Sequence, residues 1–333
     1  MNAHNGAMKL SVLDQSVSIA GRGEDAAIRD TLELAQHCES LGYQRFWLSE
    51  HHGLPTIVGS APEILMAAIA ARTERIRIGS AGVMLPHYSA LKVAEQFRVL
   101  EALAPGRIDL GVGRAPGGDM RTAMALNPNA HAAAEAFPQQ VRDLQAWTSL
   151  PRHRGITAHP LGDHAPQIWI LGSSDYGAQL AAHFGLPYAF AYFFTDGQGA
   201  EQAMSVYRAG YQPSERHPKP QATLCVWALA ADTEKEALHH AVSRERWRVD
   251  RERGVFGALQ SPEAILARGF SDAEWPTVER MRAKAFVGSA AQVADKLRSL
   301  ATEFELDEIV INTWAYDPAV RRHSYALIAR EFS

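Results

Sequence analysis

Short apolar runs alternate with longer segments in which apolar residues recur at helical spacing, and this rhythm continues along the whole chain. The short runs predict eight strands, and the longer segments predict a helix after each strand. The predicted strands span residues 8–13, 44–49, 76–84, 107–112, 167–171, 187–193, 221–231 and 308–312. The predicted helices span residues 27–41, 61–72, 90–103, 138–150, 175–184, 199–211, 234–248, 290–304 and 318–331.

This alternation favours an α/β fold in which eight parallel strands close into a TIM barrel, and a doubly wound open sheet is the alternative. We expect residues 1–333 to form one barrel domain. Two segments are longer than the repeat requires, namely 114–137 after the fourth strand and 249–289 after the seventh. Such insertions often form lids or binding loops, although surface ornament is the plainer interpretation.

Composition narrows the class of protein. Of the 333 residues, 47% are hydrophobic, which is enough for a large core, and the net charge of −4 offers no basic surface for nucleic acid. Cys38 and Cys225 are the two cysteines, so a disulfide scaffold is not expected. We find neither a signal-peptide pattern at the start nor an apolar run near the roughly 18 residues of a membrane span. A cytoplasmic enzyme is the expectation.

The chemistry of the chain is concentrated where the predicted strands end. In a barrel of this type, active sites form at the carboxyl ends of the strands. His51 and His52 follow the second strand, Ala81 and Gly82 lie near the end of the third, and Arg114 follows the fourth. We therefore expect these residues to face a common mouth.

The segment 172–177, which follows the fifth strand, is a candidate phosphate site. Ser173 and Ser174 supply hydroxyl groups, while Gly172 and Gly177 allow a ligand to approach the backbone closely. A helix begins there, and helix N-termini bind anions through free amide groups. Arg114 is a candidate second ligand of the same phosphate. Simple capping of the helix by Ser174 or Asp175 explains the pattern equally well.

Three further motifs are interpreted as follows. The run GVGRAP at 111–116 is not a dinucleotide-binding fingerprint, because proline takes the place of the third glycine and no helix opens there. His51 and His52 are adjacent and should point to opposite sides of an extended chain, so a shared metal ion is not expected. One of them is a plausible general acid or base, although single histidines are more often structural. The charge-rich segment 244–253 is expected to be an exposed helix face.

An ordered set of motifs resembles the bacterial luciferase-like flavin monooxygenase family over nearly the whole chain. The motifs are FWLSEHH at 46–52, IGSAGVMLP at 78–86, LAPGRIDLGVGR at 103–114, AAHFGLP at 181–187 and VGS at 287–289. The resemblance implies a barrel that binds reduced FMN delivered by a separate reductase. It also implies that O2 is activated as a C4a-peroxyflavin, which oxygenates a small organic substrate.

The resemblance also implies roles for individual residues. His51 would be the catalytic histidine, and Arg114 would bind the FMN phosphate. A cis peptide beside the flavin ring would fall at Ala81–Gly82, and segment 249–289 would be a mobile lid. The remaining cofactor-binding positions implied for the turn after the fifth strand are Gly172, Ser173, Ser174, Tyr176 and Gly177.

One departure from the family and two alternative functions limit what the resemblance implies. Luciferase has a cysteine where this chain has Gly113, which weakens any expectation of light emission. An F420-dependent hydride-transfer enzyme and a flavin-binding protein without catalysis remain alternatives on the same fold. A homodimer is implied by the resemblance, and helices 61–72 and 90–103 are the candidate interface if they carry exposed apolar residues.

Overall fold

The computed structural model describes residues 8–333, so the part of the signal-peptide prediction that rests on residues 1–7 lies outside the described chain. It contains nine parallel strands. Eight of them close into a barrel in the order β1–β2–β3–β4–β5–β6–β7–β9, with β9 pairing back to β1, and this confirms the predicted TIM barrel. The strands are β1 (Lys9–Asp14), β2 (Arg45–Leu48), β3 (Arg77–Met84), β4 (Ile108–Gly113), β5 (Gln167–Gly172), β6 (Tyr188–Phe190), β7 (Ala222–Ala231), β8 (Phe286–Ser289) and β9 (Glu308–Asn312).

Helices surround the barrel, and several begin at sequence signals that fix their N-termini. Thr233 and Ser289 each close a capping box with the residue three positions on, and Pro62 and Pro318 occupy first helical turns. The helices are α1 (Glu24–Ser40), α2 (Pro62–Ala70), α3 (Ala90–Leu103), α4 (Met120–Leu126), α5 (Ala130–Glu135), α6 (Phe137–Ser149), α7 (Asp175–Phe184), α8 (Tyr192–Thr195), α9 (Ala200–Gly210), α10 (Glu234–Glu252), α11 (Pro262–Arg268), α12 (Trp275–Ala283), α13 (Ala290–Glu303) and α14 (Pro318–Arg330).

Three segments differ from the prediction. The sixth strand ends at Phe190, because the aromatic residues after it form the short helix α8. Segment 249–289 holds the end of α10, helices α11 and α12, and β8, which pairs only with the end of β7. Segment 114–137 likewise contains α4 and α5. Both insertions are therefore largely helical rather than irregular.

Successive residues of each strand point alternately toward the surrounding helices and into the barrel, which gives an outer core and an inner core. In β4, Ile108, Leu110 and Val112 join the cluster that packs beneath the surrounding helices. The intervening positions point into the barrel, where a central layer lies at mid-height. This layer consists of Leu13, Trp47, Trp169, Ala189, Cys225 and Val310.

A buried ionic network, which we call the barrel floor, closes the end of the barrel where the strands begin. Asp109 accepts hydrogen bonds from Arg45 at 2.8 Å, from Arg77 at 2.5 Å and from Trp47 at 2.9 Å. Arg45 also pairs with Glu308, at 2.9 Å. Because the carboxylates of Asp109 and Glu308 both form ion pairs with arginine, these charged side chains are tolerated in the interior. The opposite end is left to carry the chemistry.

Candidate active site

The chain places His51 at the open end of the barrel, directly after β2. Its backbone amide donates to Gly59 O at 3.0 Å, and its ring Nδ1 lies 3.2 Å from Ser49 Oγ. The ring is only partly exposed. Burial lowers the pKa of His51 to about 4, and the nearby positive charge of Arg251 acts in the same direction. His51 is therefore neutral at physiological pH, able to accept a proton at one nitrogen and donate from the other.

His52 points elsewhere, as the spacing predicts. Its Nε2 lies 2.7 Å from Oε1 of Glu50, whose side chain is 1% exposed. Glu50 also accepts from the Tyr88 hydroxyl at 2.6 Å and from the Met84 amide at 3.0 Å. This buried carboxylate links the β2 loop to the end of β3 and was not singled out from the sequence. The signal available was its place at the end of a strand that is otherwise apolar and aromatic.

The peptide bond Ala81–Gly82 is cis, which agrees with the expectation drawn from the resemblance. Ala81 packs against the central layer of the barrel, together with Leu171 and Phe193, so the bond lies on the inner side of the mouth. Gly82 has no room for a side chain, because a Cβ atom there would collide with Leu171 and lie 2.8 Å from the carbonyl oxygen of Gly111. The role of this peptide beside a ligand stays a prediction.

The turn after β5 presents an open helix N-terminus. Ser174 occupies the cap position of α7 in an extended conformation, but its side chain makes no capping hydrogen bond. The capping interpretation is therefore not supported, and the first amide groups of α7 remain available to an anion. Gly172 and Gly177 approach so closely that a Cβ atom on Gly172 would lie 3.5 Å from the Gly177 Cα atom. The Tyr188 hydroxyl anchors the turn by donating to Ser174 O at 3.0 Å.

Arg114 and Tyr176, predicted from opposite sides of this site, are in contact. The guanidinium carbon of Arg114 lies 3.9 Å from the centre of the Tyr176 ring. The arginine is exposed, and no carboxylate among residues 8–333 forms an ion pair with it. The stacking directs a cation toward the N-terminus of α7, which is the combination that binds a phosphate.

Both insertions contact the loop that carries His51. Gly117 O accepts from the His52 amide at 3.0 Å, and a Cβ atom on Gly53 would lie 2.9 Å from the hydroxyl of Thr122 in α4. From the other side, Thr56 Oγ1 donates to Gly257 O at 2.5 Å. The two insertions therefore border the mouth, which argues against the interpretation as surface ornament.

The prediction that 244–253 is an exposed helix face is wrong for residues 244–250 and correct for residues 251–253. Arg246 is 1% exposed and pairs with Asp250 at 2.7 Å and Glu274 at 2.8 Å. Arg244 lies against Trp227, and Arg248 pairs with Asp196 at 2.5 Å. The long alkyl stems let these arginines cover apolar surface. Two of their carboxylate partners, Glu274 and Asp196, lie outside the segment. Helical charge spacing alone does not distinguish this from a solvated face.

The described chain lacks two features that would point to other classes of protein. No helix within residues 8–333 is both long enough and apolar enough to cross a membrane. Over the same residues, no group of three or more His, Cys, Asp or Glu side chains is arranged to hold a metal ion.

Comparisons with known proteins agree with one another. A family model described as luciferase-like monooxygenase matches residues 8–304. The N-acetyl-S-alkylcysteine monooxygenase of Bacillus subtilis is 36% identical, over 97% of this chain and 97% of its own. The crystal structure of apo-MsnO8 is 35% identical with a TM-score of 0.91, covering 98% of each chain. A type II Baeyer-Villiger monooxygenase from Pseudomonas putida, in complex with FMN, shares the fold at 19% identity, with a TM-score of 0.71 and 98% of each chain covered.

Proposed function

The chain belongs to the luciferase-like monooxygenase family, and from that premise we propose that it oxygenates a small organic substrate with O2 and reduced FMN. The observation that carries the proposal is the uncapped N-terminus of α7 beside the stacked pair Arg114–Tyr176. This candidate phosphate site lies at the same end of the barrel as His51 and the Ala81–Gly82 peptide. The fold relative that holds FMN supports the choice of cofactor.

The residues around this site are suited to FMN. The phosphate would be held by Arg114, the hydroxyls of Ser173 and Ser174, and the first amide groups of α7. Gly172 and Gly177 let the turn pack closely against Tyr188, which supports the start of α7. The flat surface of the Ala81–Gly82 peptide, with Leu171 beside it, would support the ring system. Tyr176 would orient Arg114 toward the phosphate.

The bound cofactor supplies the electrons that activate O2, and the protein supplies position, dryness and a proton. Leu171, Phe193 and Ala81 make this side of the mouth apolar, which excludes water from the reacting centre. His51, neutral because burial lowers its pKa, is placed to move a proton through its ring nitrogens. Ser49 fixes the orientation of that ring.

We further propose that the chain works in the cytoplasm as a homodimer and receives reduced FMN from a separate reductase. The apolar residues expected of an interface are present on both candidate helices. Ile64 of α2 is 67% exposed, and Val99 and Leu103 of α3 are 47% and 58% exposed. Exposed aliphatic side chains on two neighbouring helices are suited to burial against a second copy.

The test is to mix the protein, loaded anaerobically with photoreduced FMN, with O2 and to follow oxidised flavin by absorbance. Binding with reoxidation kinetics that differ from those of free flavin, altered in His51→Ala and unaltered in His131→Ala, supports the proposal. His131 is a matched control because its side chain is 87% exposed on α5. Hydride transfer to or from F420 without O2 consumption, or flavin binding with unchanged reoxidation, would overturn it in favour of an F420 enzyme or a binding protein.

A further inference from the structure

Glu50 is a buried carboxylate that has no part in the chemistry proposed above. Its Oε1 atom accepts from His52 Nε2 at 2.7 Å and from the Tyr88 hydroxyl at 2.6 Å, while Oε2 accepts from the Met84 amide at 3.0 Å. Burial and the hydrogen bond to Glu50 raise the pKa of Tyr88, so its hydroxyl stays protonated and donates. We call Glu50 and these three partners the Glu50 cluster.

No arginine or lysine balances this carboxylate. Within residues 8–333, the side chain that forms a salt bridge with Glu50 is that of His52, whereas Asp109 and Glu308 of the barrel floor are each paired with arginine. Burying a carboxylate in this way returns little net stability, because its removal from water is costly. The precision with which it holds its partners is therefore a better explanation for its presence than the stability of the fold.

The end of β3 is the first part of the site that Glu50 holds. Its bonds reach the Met84 amide and the Tyr88 hydroxyl, and these two residues flank the 3₁₀ turn Leu85–His87. Met84 follows the Ala81–Gly82 peptide by two residues on the same strand. The carboxylate thus fixes how the chain leaves the strand that is proposed to support the flavin ring.

The segment just after Arg114 is the second part. Within it, Pro116 O accepts from His87 Nε2 at 2.8 Å, and Gly117 O accepts from the His52 amide at 3.0 Å. His87 lies in the 3₁₀ turn, and His52 carries the ring that binds the central carboxylate. One buried side chain therefore holds both donors that fix the backbone beside the proposed phosphate contact.

Gly117 shows how closely these parts pack. Its φ is +65°, and a Cβ atom there would lie 3.0 Å from Met84 Cγ and 3.3 Å from Glu50 O. Tightly packed groups transmit a displacement to their neighbours rather than absorbing it. A shift of the Glu50 cluster would consequently move the segment that carries Arg114.

We infer that Glu50 is a positioning residue, which holds the His51 loop, the end of β3 and the segment after Arg114 in the arrangement that binds the flavin. This inference rests on the proposed function, because it assigns a role within the same site. His51 lies between Glu50 and His52 in the chain, so fixing both neighbours fixes the backbone that carries its ring. Glu50 acts through these partners and not by contact with the reacting groups.

The first test needs no flavin and measures hydrogen–deuterium exchange by mass spectrometry. Glu50→Ala is compared with Glu101→Ala, because Glu101 is also buried, at 4% exposure, and also accepts from a backbone amide, at 2.8 Å, but lies at the end of the barrel where the strands begin. We expect Glu50→Ala to speed exchange about tenfold or more in segments 50–54, 82–88 and 114–119, with the rest of the chain unchanged. Glu101→Ala should leave all three segments unchanged.

The second test measures flavin affinity by fluorescence quenching. Glu50→Ala should weaken FMN binding about tenfold, and riboflavin binding by a smaller factor, because the phosphate segment and the ring-supporting strand both lose their anchor. Glu50→Gln should restore most of this affinity. Its amide oxygen can accept from the Met84 amide, and its NH2 group can donate to the Tyr88 oxygen and to His52 Nε2.

Tyr88→Phe keeps the inference testable if Glu50→Ala does not fold. It removes one of the three bonds, so it should change exchange in 82–88 and FMN affinity in the same direction but by less. Unchanged exchange in the three segments, faster exchange throughout the chain, or unchanged FMN affinity in Glu50→Ala overturns the inference and leaves the monooxygenase proposal intact. An original protein that binds no flavin overturns the proposed function, and with it the role assigned to Glu50.

Discussion

At the scale of single residues, burial decides what His51 can do. The Nδ1 atom of the ring lies beside the Ser49 hydroxyl, the backbone amide is held by the Gly59 carbonyl, and Arg251 is close enough to disfavour a second proton on the ring. An imidazole with an ordinary pKa would be partly charged near neutral pH. Here the ring stays uncharged until the solution is acidic. Nearly all molecules therefore carry a neutral His51 across the physiological pH range, as a proton-accepting step requires.

The corresponding prediction concerns titration. In nuclear magnetic resonance spectra assigned with His51→Gln, His51 should titrate near pH 4, and Arg251→Met should raise that pKa because it removes a positive charge. Because the folded-state pKa is depressed, the contribution of His51 to stability is complete above about pH 6.5 and declines as the pH falls toward 4. A titration near 6.5 in the folded protein would contradict the assignment of a buried, neutral ring.

Arg114 supports a second prediction at this scale. Arg114→Met should weaken FMN binding by about tenfold or more, because it removes a charge-assisted contact to the phosphate. Riboflavin, which has no phosphate, should bind the variant and the original protein equally. The measurement is quenching of flavin fluorescence, with Arg121→Met on α4 as the control from the same region. Equal losses for both ligands would show that Arg114 acts on the ring system or on the fold instead.

At the scale of elements, the barrel floor joins four strands through two carboxylates. Asp109 of β4 accepts from Arg45 and Trp47 of β2 and from Arg77 of β3, while Arg45 continues to Glu308 of β9. None of the atoms that Asp109 presents faces water, since the residue is fully buried. The floor is therefore a stabilising element only while its charges stay matched.

Asp109→Asn tests that balance. The substitution leaves two guanidinium groups with one fewer negative charge in a buried site, and we expect a loss of about 3–5 kcal/mol in the free energy of unfolding. The control is Asp25→Asn, which breaks the exposed pair with Arg29 on α1 and should leave the free energy of unfolding nearly unchanged. Urea unfolding followed by far-ultraviolet circular dichroism measures both. Similar values for the two variants would contradict the importance of the floor.

The elements also show what the sequence can predict. The strands β1 to β5, β7 and β9 follow from apolar runs, because each is buried on both faces of a parallel barrel. β8 escapes prediction since it pairs only with the last residues of β7, and β6 is overextended because the aromatic run continues into α8. In the site, strand ends located the candidate residues. The pairing of Arg246 with Glu274 depends on folding that brings distant residues together, so local charge spacing did not reveal it.

At the scale of the whole molecule, the exposed aliphatic residues lie unevenly. Ile64, Val99 and Leu103 are carried by α2 and α3, which contact one another through the Gln96–Glu63 hydrogen bond of 3.4 Å. Neither helix supplies a residue assigned above to the candidate active site.

Light scattering after size-exclusion chromatography tests the dimer. We expect the original chain to elute with twice its mass of 36.5 kDa. Ile64→Glu combined with Leu103→Glu should give monomers, because charges placed in an apolar interface are desolvated without partners. Leu266→Glu, at a 52% exposed position on α11, should remain dimeric. A monomeric original chain would rule out the homodimer, and a dimeric double variant would place the interface elsewhere.

The barrel floor also affects the order in which ligands bind and dissociate. Because Arg45, Asp109 and Glu308 close the end where the strands begin, we expect molecules to reach the candidate site of the described chain from the open end of the barrel. The ligand that binds first is then covered by the ligand that binds second, so the two dissociate in the reverse order. A large, flat ligand at the open end would then slow the dissociation of a smaller ligand bound further in. The order of binding, rather than affinity alone, would determine how long each ligand stays bound.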